Sequence, residues 1–151
     1  MEKEELLVDE LSGLTGVELE LSSDKICELA VEDRVVVLRY RPDDGDWLYF
    51  TVVAEPEDGP GKQMMEKSLR LNLFGAETLG LHLGLFGKAL ILSGTVAMDG
   101  LTAETLAERL LLLARHAGKL AEKLESAEDE ERENPSESEI LSPWGSGFMQ
   151  V

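Results

Sequence analysis

The stretch LGLHLGLFGKALILSGTVAM, residues 79–98, is the one apolar run in this sequence long enough to cross a bilayer. The run holds His82, Lys88 and four glycines, and it breaks in the middle at Phe86-Gly87-Lys88. One spanning helix accommodates these features poorly, whereas two strands joined by a Gly-Lys turn account for all of them. The run therefore predicts a β-hairpin with strands over 79–85 and 89–98, ended by Asp99-Gly100. Alternation puts Leu79, Leu81, Leu83 and Leu85 on one face of the first strand and Gly80, His82, Gly84 and Phe86 on the other. Small residues there admit a close second layer, such as another subunit, or are simply tolerated by a twisted strand.

Upstream of the hairpin, Gln63-Met64-Met65-Glu66-Lys67-Ser68-Leu69-Arg70-Leu71 has helix-forming composition and predicts a helix from Lys62 to about Leu73. Asn72 suits the end of that helix and Gly75 the turn after it. Downstream, Thr102 can cap a helix whose Leu106, Leu110, Leu113, Ala117, Leu120 and Leu124 trace one face, with an end near Glu125. Toward the N-terminus, Leu6, Leu7, Leu11 and Leu14 recur at helical spacing and predict a short amphipathic helix over 3–12, interrupted by Gly13 and Gly16. Three strands are expected between, over 26–31, 35–41 and 47–54. They are separated by a tight Glu32-Asp33 turn and by a longer one over 42–46. The order α-β-β-β-α-β-β-α predicts an α+β domain with a mostly antiparallel five-stranded sheet and three helices.

A length of 151 residues suits one domain, taken as 1–125, followed by a tail over 126–151. The tail is acidic at first, then rich in Ser, Pro and Gly, and is expected to be disordered in isolation. It contains Ile140, Leu141, Pro143, Trp144, Phe148 and Met149. These are incidental to a solubilising tail, or they bind a partner, or they dock on the protein's own sheet.

The net charge of -17 argues against nucleic acid and anionic membranes as partners, because both would repel the chain. Cys27 is the only cysteine, so no internal disulfide and no thiolate cluster for zinc can form, which suits a reducing cytoplasm. The start Met-Glu-Lys-Glu-Glu lacks the basic and apolar regions of a signal peptide.

On the first three strands, alternation groups Cys27, Leu29, Val31, Val36, Leu38, Tyr40, Leu48, Phe50, Val52 and Ala54 beneath the helices. The opposite faces carry Ile26, Ala30, Val35, Val37, Trp47, Tyr49 and Val53, with Glu28, Arg39, Arg41 and Thr51 among them. Three short helices cover one side of such a sheet, so this second side is either an apolar surface for a partner or is covered by the last helix or the tail.

Catalytic chemistry is not evident. Gly87-Lys88 is followed by Ala89 and lacks the Ser or Thr of a phosphate loop. His82 and His116 stand in no spacing that suggests a triad or a metal site. The carboxylates fall in solvated runs, and Cys27 has no basic neighbour to activate it. No enzymatic activity, cofactor or metal is expected.

Leu6-Leu7 and Leu11 in the opening helix, Asp24-Lys25-Ile26-Cys27-Glu28-Leu29 at the first strand, Leu69 through Asn72-Leu73-Phe74, and the leucine-rich helix after Met98-Asp99-Gly100-Leu101 together resemble one family. It is that of the class I type III secretion chaperones, the Tir-chaperone (CesT-like) family. The resemblance spans about residues 5–124 and implies a small cytoplasmic homodimer that binds the N-terminal chaperone-binding segment of a secreted effector, holding it extended and export-competent. It brings in the secretion ATPase as a further candidate partner. Carried over by position, it implies effector contacts at Leu6, Leu7, Leu11, Val35, Val37, Trp47 and Tyr49. It likewise implies dimer contacts at Leu69, Leu73, Phe74, Leu79 and Leu81. The glycine-rich link Gly13-Leu14-Thr15-Gly16 and the long tail depart from the family pattern. A regulatory protein that sequesters a transcriptional regulator or anti-activator through the same surfaces is the alternative.

Overall fold

The structure, a computed structural model, describes residues 2–75 and 78–133, without the side chains of Phe74 and residues 128–133. The elements run α1 (Lys3–Thr15), β1 (Ile26–Val31), β2 (Arg34–Arg41), β3 (Asp46–Ala54), α2 (Lys62–Asn72), a 3₁₀ turn (Leu73–Gly75), β4 (His82–Phe86), β5 (Ala89–Ala97) and α3 (Ala103–Glu133). The expected α+β order is observed, and the strands form one antiparallel sheet in the order β1-β2-β3-β5-β4. The run at 79–98 is the β4–β5 hairpin, except that its first residues are not strand: Leu79 (φ 56°) and Gly80 (φ 80°) turn the chain, and the Gly80 N–H donates to the Gly75 carbonyl at 2.9 Å.

All three helices pack on one face of the sheet, and α3 is their common support. Leu106, Leu110, Leu113, Ala117, Leu120 and Leu124, the stripe expected from spacing, are all buried. The helix does not stop near Glu125 but continues to Glu133, so the acidic run 128–133 belongs to it and not to a tail. Ala and Glu carry strong helix propensity, and buried Ala127 extends the packed stripe one step further. The tail from residue 134, with its apolar positions, lies outside the described residues. Helix α1 likewise runs past Gly13 to Thr15, because Leu7, Val8 and Leu11 are buried there and Gly16 (φ 73°) supplies the left-handed cap.

The two faces of β3 are exchanged relative to the sequence expectation. Trp47 and Tyr49 lie in the core at 0% and 1% exposure, together with Thr51 and Val53, while Leu48, Phe50 and Val52 point outward. The register sets this: Tyr40 pairs with Trp47, Leu38 with Tyr49 and Val36 with Thr51, and directly paired residues share a face. Both faces of β3 are apolar, and its one polar side chain inside the strand, Thr51, is on the buried side. There its Oγ1 donates to the Val35 carbonyl at 2.8 Å, which removes the penalty of burying it. Gly94 on β5 completes the fit: a Cβ there would stand 2.7 Å from Leu81 Cδ2 and 2.8 Å from the Tyr49 ring. The sheet thus has room for Tyr49 inside only because its cross-strand partner is glycine.

Asn72, expected to end α2, also does something else. Its Nδ2 donates to the Leu83 carbonyl and its Oδ1 accepts from the Leu83 N–H, both at 2.7 Å. The side-chain amide thereby imitates a neighbouring strand at the free edge of β4 and ties α2 to the sheet. Asn72→Ala leaves both groups of Leu83 unpaired and is expected to cost about 1–3 kcal/mol. Denaturant titration measures this, and exchange at the Leu83 amide should accelerate; exchange at its former rate would refute the role.

Candidate functional site

On the outward side of the sheet, apolar residues stay uncovered by the other described residues. Val35 is 60% exposed and Val52 41%, with Val37 and Phe50 half-buried between them. Val37 pairs with Phe50 across β2 and β3, so the four form a continuous strip. They line a groove of about 330 Å³ together with Asp33 and Arg34. Arg34 closes one end by donating from Nη1 to the Val52 carbonyl at 2.9 Å. Along β2 the strip continues into charge: Arg39 is exposed, and Arg41 holds Asp46 through two hydrogen bonds of 2.8 and 2.7 Å. The Arg41 guanidinium keeps the Asp46 carboxyl below its ordinary pKa. The surface is therefore an apolar channel whose margin carries both signs of charge, with Asp33 in its lining and Glu28 paired to Val37 across β1 and β2.

Clefts also flank α1. Leu6, half-exposed, lines one of about 490 Å³ with Leu7, Tyr40, Met98 and Leu101. Leu11 lines another of about 240 Å³ with Val17, Leu29, Ala30 and Leu110, where α1, β1 and α3 meet. Leu7 and Leu11 themselves are core residues at 3% and 0% exposure. The helix is fixed over these clefts by Glu4, which meets Lys25 Nζ at 3.1 Å. Burial works against the Glu4 carboxylate, but a backbone hydrogen bond and Lys25 together bring its pKa below the ordinary value. At the β1 edge, Ile26 donates to Ser22 Oγ at 3.2 Å and accepts from the Ser22 N–H at 2.9 Å. Alternation gives the next outward backbone groups to Glu28 and Ala30.

Of the residues expected from sequence, Leu6, Val35 and Val37 are thus on the surface. Leu7 and Leu11 touch it only at a cleft edge, and Trp47 and Tyr49 are removed from it by the phase of β3. Among the expected dimer residues, Leu69, Leu73 and Leu79 are exposed, whereas Leu81 is buried against Gly94 within its own subunit. The Phe74 side chain lies outside the described residues. Sequence reasoning missed Phe50 and Val52 as surface residues, and it missed Leu85 and Phe86, which stand 53% and 71% exposed at the end of β4. Correct pairing of Val37 with Phe50 was the only signal that could have found the first two.

Cys27 is buried, and desolvation, followed by the charge of Glu28, pushes its thiol up to about 11. His82 points outward from β4 and His116 sits on α3. No group of three or more His, Cys, Asp or Glu among the described residues is placed to hold a metal ion. No helix among them is long and apolar enough to cross a membrane.

The sequence profile of the Tir chaperone protein (CesT) family matches residues 6–121. The chain belongs to this family. No curated protein matches it, but solved structures do. The ExsC-ExsE complex contains a chain 21% identical, aligned over 80% of this chain and 92% of that one with a TM-score of 0.69. The HopA1-SchA chaperone-effector complex is similar at 16% identity, over 80% and 94%, with a TM-score of 0.63. The Yersinia pestis type III secretion chaperone SycH, in complex with a stable fragment of YscM2, is similar at 19% identity, over 78% and 98%, with a TM-score of 0.62. At these identities the likeness is one of fold. In this CesT-family chain the profile match runs from α1 through most of α3 and takes in all five strands.

Proposed function

We infer that this CesT-family chain is a type III secretion chaperone that holds an extended N-terminal segment of a secreted effector, keeping it soluble and export-competent. The observation that carries this reading is the uncovered strip Val35, Val37, Phe50 and Val52. An extended segment can lay alternate side chains along such a strip, and it can satisfy its backbone at a strand edge such as Glu28 and Ala30. Family membership supports the reading, as does the presence of chaperone-effector complexes among similar structures. The protein acts as a homodimer without catalysis of its own, in the cytoplasm, with the secretion ATPase as a candidate further partner.

The test is binding of the chain to a secreted protein of the same export system, with limited proteolysis of the complex. A protected segment near the client's N-terminus is expected. Val35→Asp with Val52→Asp places two charges in the strip and should weaken the complex at least about thirtyfold, equivalent to about 2 kcal/mol. Exposed positions tolerate such changes, so the far-ultraviolet spectrum and unfolding midpoint should stay near those of the parent. A folded double variant with parental affinity would overturn the assignment of the strip.

A further inference from the structure

We propose that the outward groove over β2 and β3 is the docking site of the protein's own C-terminal segment, residues 140–149. Two observations converge on it. First, residues 140–151 carry no charged side chain, in a chain of which 30% is charged, and they include Ile140, Leu141, Trp144, Phe148 and Met149. An uncharged segment of that composition gains from apolar cover, and the groove lined by Val35, Val37, Phe50 and Val52 is apolar and uncovered by the other described residues.

Second, the chain length fits. Helix α3 passes the β1–β2 turn, where Arg115 meets Glu32 at 3.2 Å and Gly118 lies 4.0 Å from Arg34 Nε as measured from a Cβ built on it. From Gly118 the helix runs on to Glu133, about 22 Å at 1.5 Å per residue. The seven residues from there to Ile140 reach back about 24 Å when extended. Ile140 can therefore return to Arg34 at the edge of the sheet, from which the residues after it cross to the outward face and bring Trp144 and Phe148 to the groove.

The segment occupies the strip when no other chain does. Its displacement by a client rests on the function proposed above; the docking itself does not.

A nitroxide on the thiol of Ser146→Cys, between Trp144 and Phe148, tests this in the full chain. Cys27 is buried and stays unlabelled. Docking predicts that the methyl signals of Val35, Val37 and Val52 broaden more strongly than those of Leu6 and Leu69, and that Trp144→Ser with Phe148→Ser abolishes the difference. Uniformly weak broadening would overturn the proposal. So would broadening that arises only when labelled chains are mixed with isotopically marked ones lacking the nitroxide, since the occupant is then a second copy. Adding a client segment of independently measured affinity separates the two readings. Sharpening of the valine signals as it binds supports competition, and binding with the broadening intact overturns competition. Failure of every client to bind counts against the chaperone function while the methyl pattern still decides the docking.

Discussion

Trp47→Ala is expected to destabilise the fold by about 3–5 kcal/mol, the usual cost of truncating a fully buried large aromatic side chain. For a domain of this size that lowers the thermal midpoint by on the order of 10 °C. The indole sits at 0% exposure, its ring centre 5.1 Å from that of Tyr40, with Nε1 donating to Met98 Sδ at 3.1 Å. Its neighbour across β5 is Val96. Removing it leaves a cavity between sheet and helices that close packing cannot easily refill. Differential scanning calorimetry gives the midpoint, and titration with client, at a temperature where the variant remains folded, gives the affinity. The affinity should match the parent's. An equally stable variant that has lost its client would put Trp47 back on a binding surface, where alternation alone had placed it.

That contrast marks what the amino-acid sequence could and could not reveal. The hairpin in residues 79–98 was legible because a lysine and four glycines inside an apolar run leave few other solutions. The α3 stripe was legible because six apolar positions repeat at helical spacing, and the family resemblance rested on the order of such elements. The phase of β3 was not legible. Trp47, Tyr49 and Val53 on one side and Leu48, Phe50 and Val52 on the other are equally apolar, and the lone threonine pointed the wrong way because its hydroxyl is satisfied inside. Strand pairing resolves the choice, since Tyr49 needs Gly94 opposite it. The surface residues followed the same division. Val35 and Val37 lie on a strand whose phase was marked by Arg39, whereas Phe50 and Val52 lie on the ambiguous one.

Both edges of the sheet repeat one device that spacing cannot disclose. Ser22 satisfies Ile26 on β1 with one side-chain and one backbone group, and Asn72 satisfies Leu83 on β4 with its side-chain amide. Each blocks a single outward backbone pair and leaves those further along the strand available. On β1 these are Glu28 and Ala30; on β4 the next is Leu85. Such partial blocking leaves only short stretches of open edge, which limits edge-to-edge aggregation.

The β4 edge is where the proposed dimer should be most sensitive. Leu69→Asp with Leu73→Asp is expected to convert the dimer to folded monomers. The two leucines are 70% and 55% exposed, four residues apart where α2 passes into the 3₁₀ turn, and Asn72 holds this segment against β4. Leu79, Leu85 and Phe86 are exposed around the same edge, so a second copy would cover an apolar patch contributed twice by two-fold symmetry. Each copy carries a formal charge of -17, so association has to overcome long-range repulsion with local apolar contact. Two aspartates per copy become four in a symmetric seam, each losing water without a partner, and dissociation should rise at least about a thousandfold. Sedimentation velocity at low micromolar concentration reads the outcome directly, with circular dichroism as the check on folding. Leu81→Asp supplies the contrast: Leu81 is buried against Gly94 inside one subunit, so charging it should unfold the chain instead of releasing a monomer. A double variant at Leu69 and Leu73 that remains a dimer of parental affinity would place the seam elsewhere on the fold.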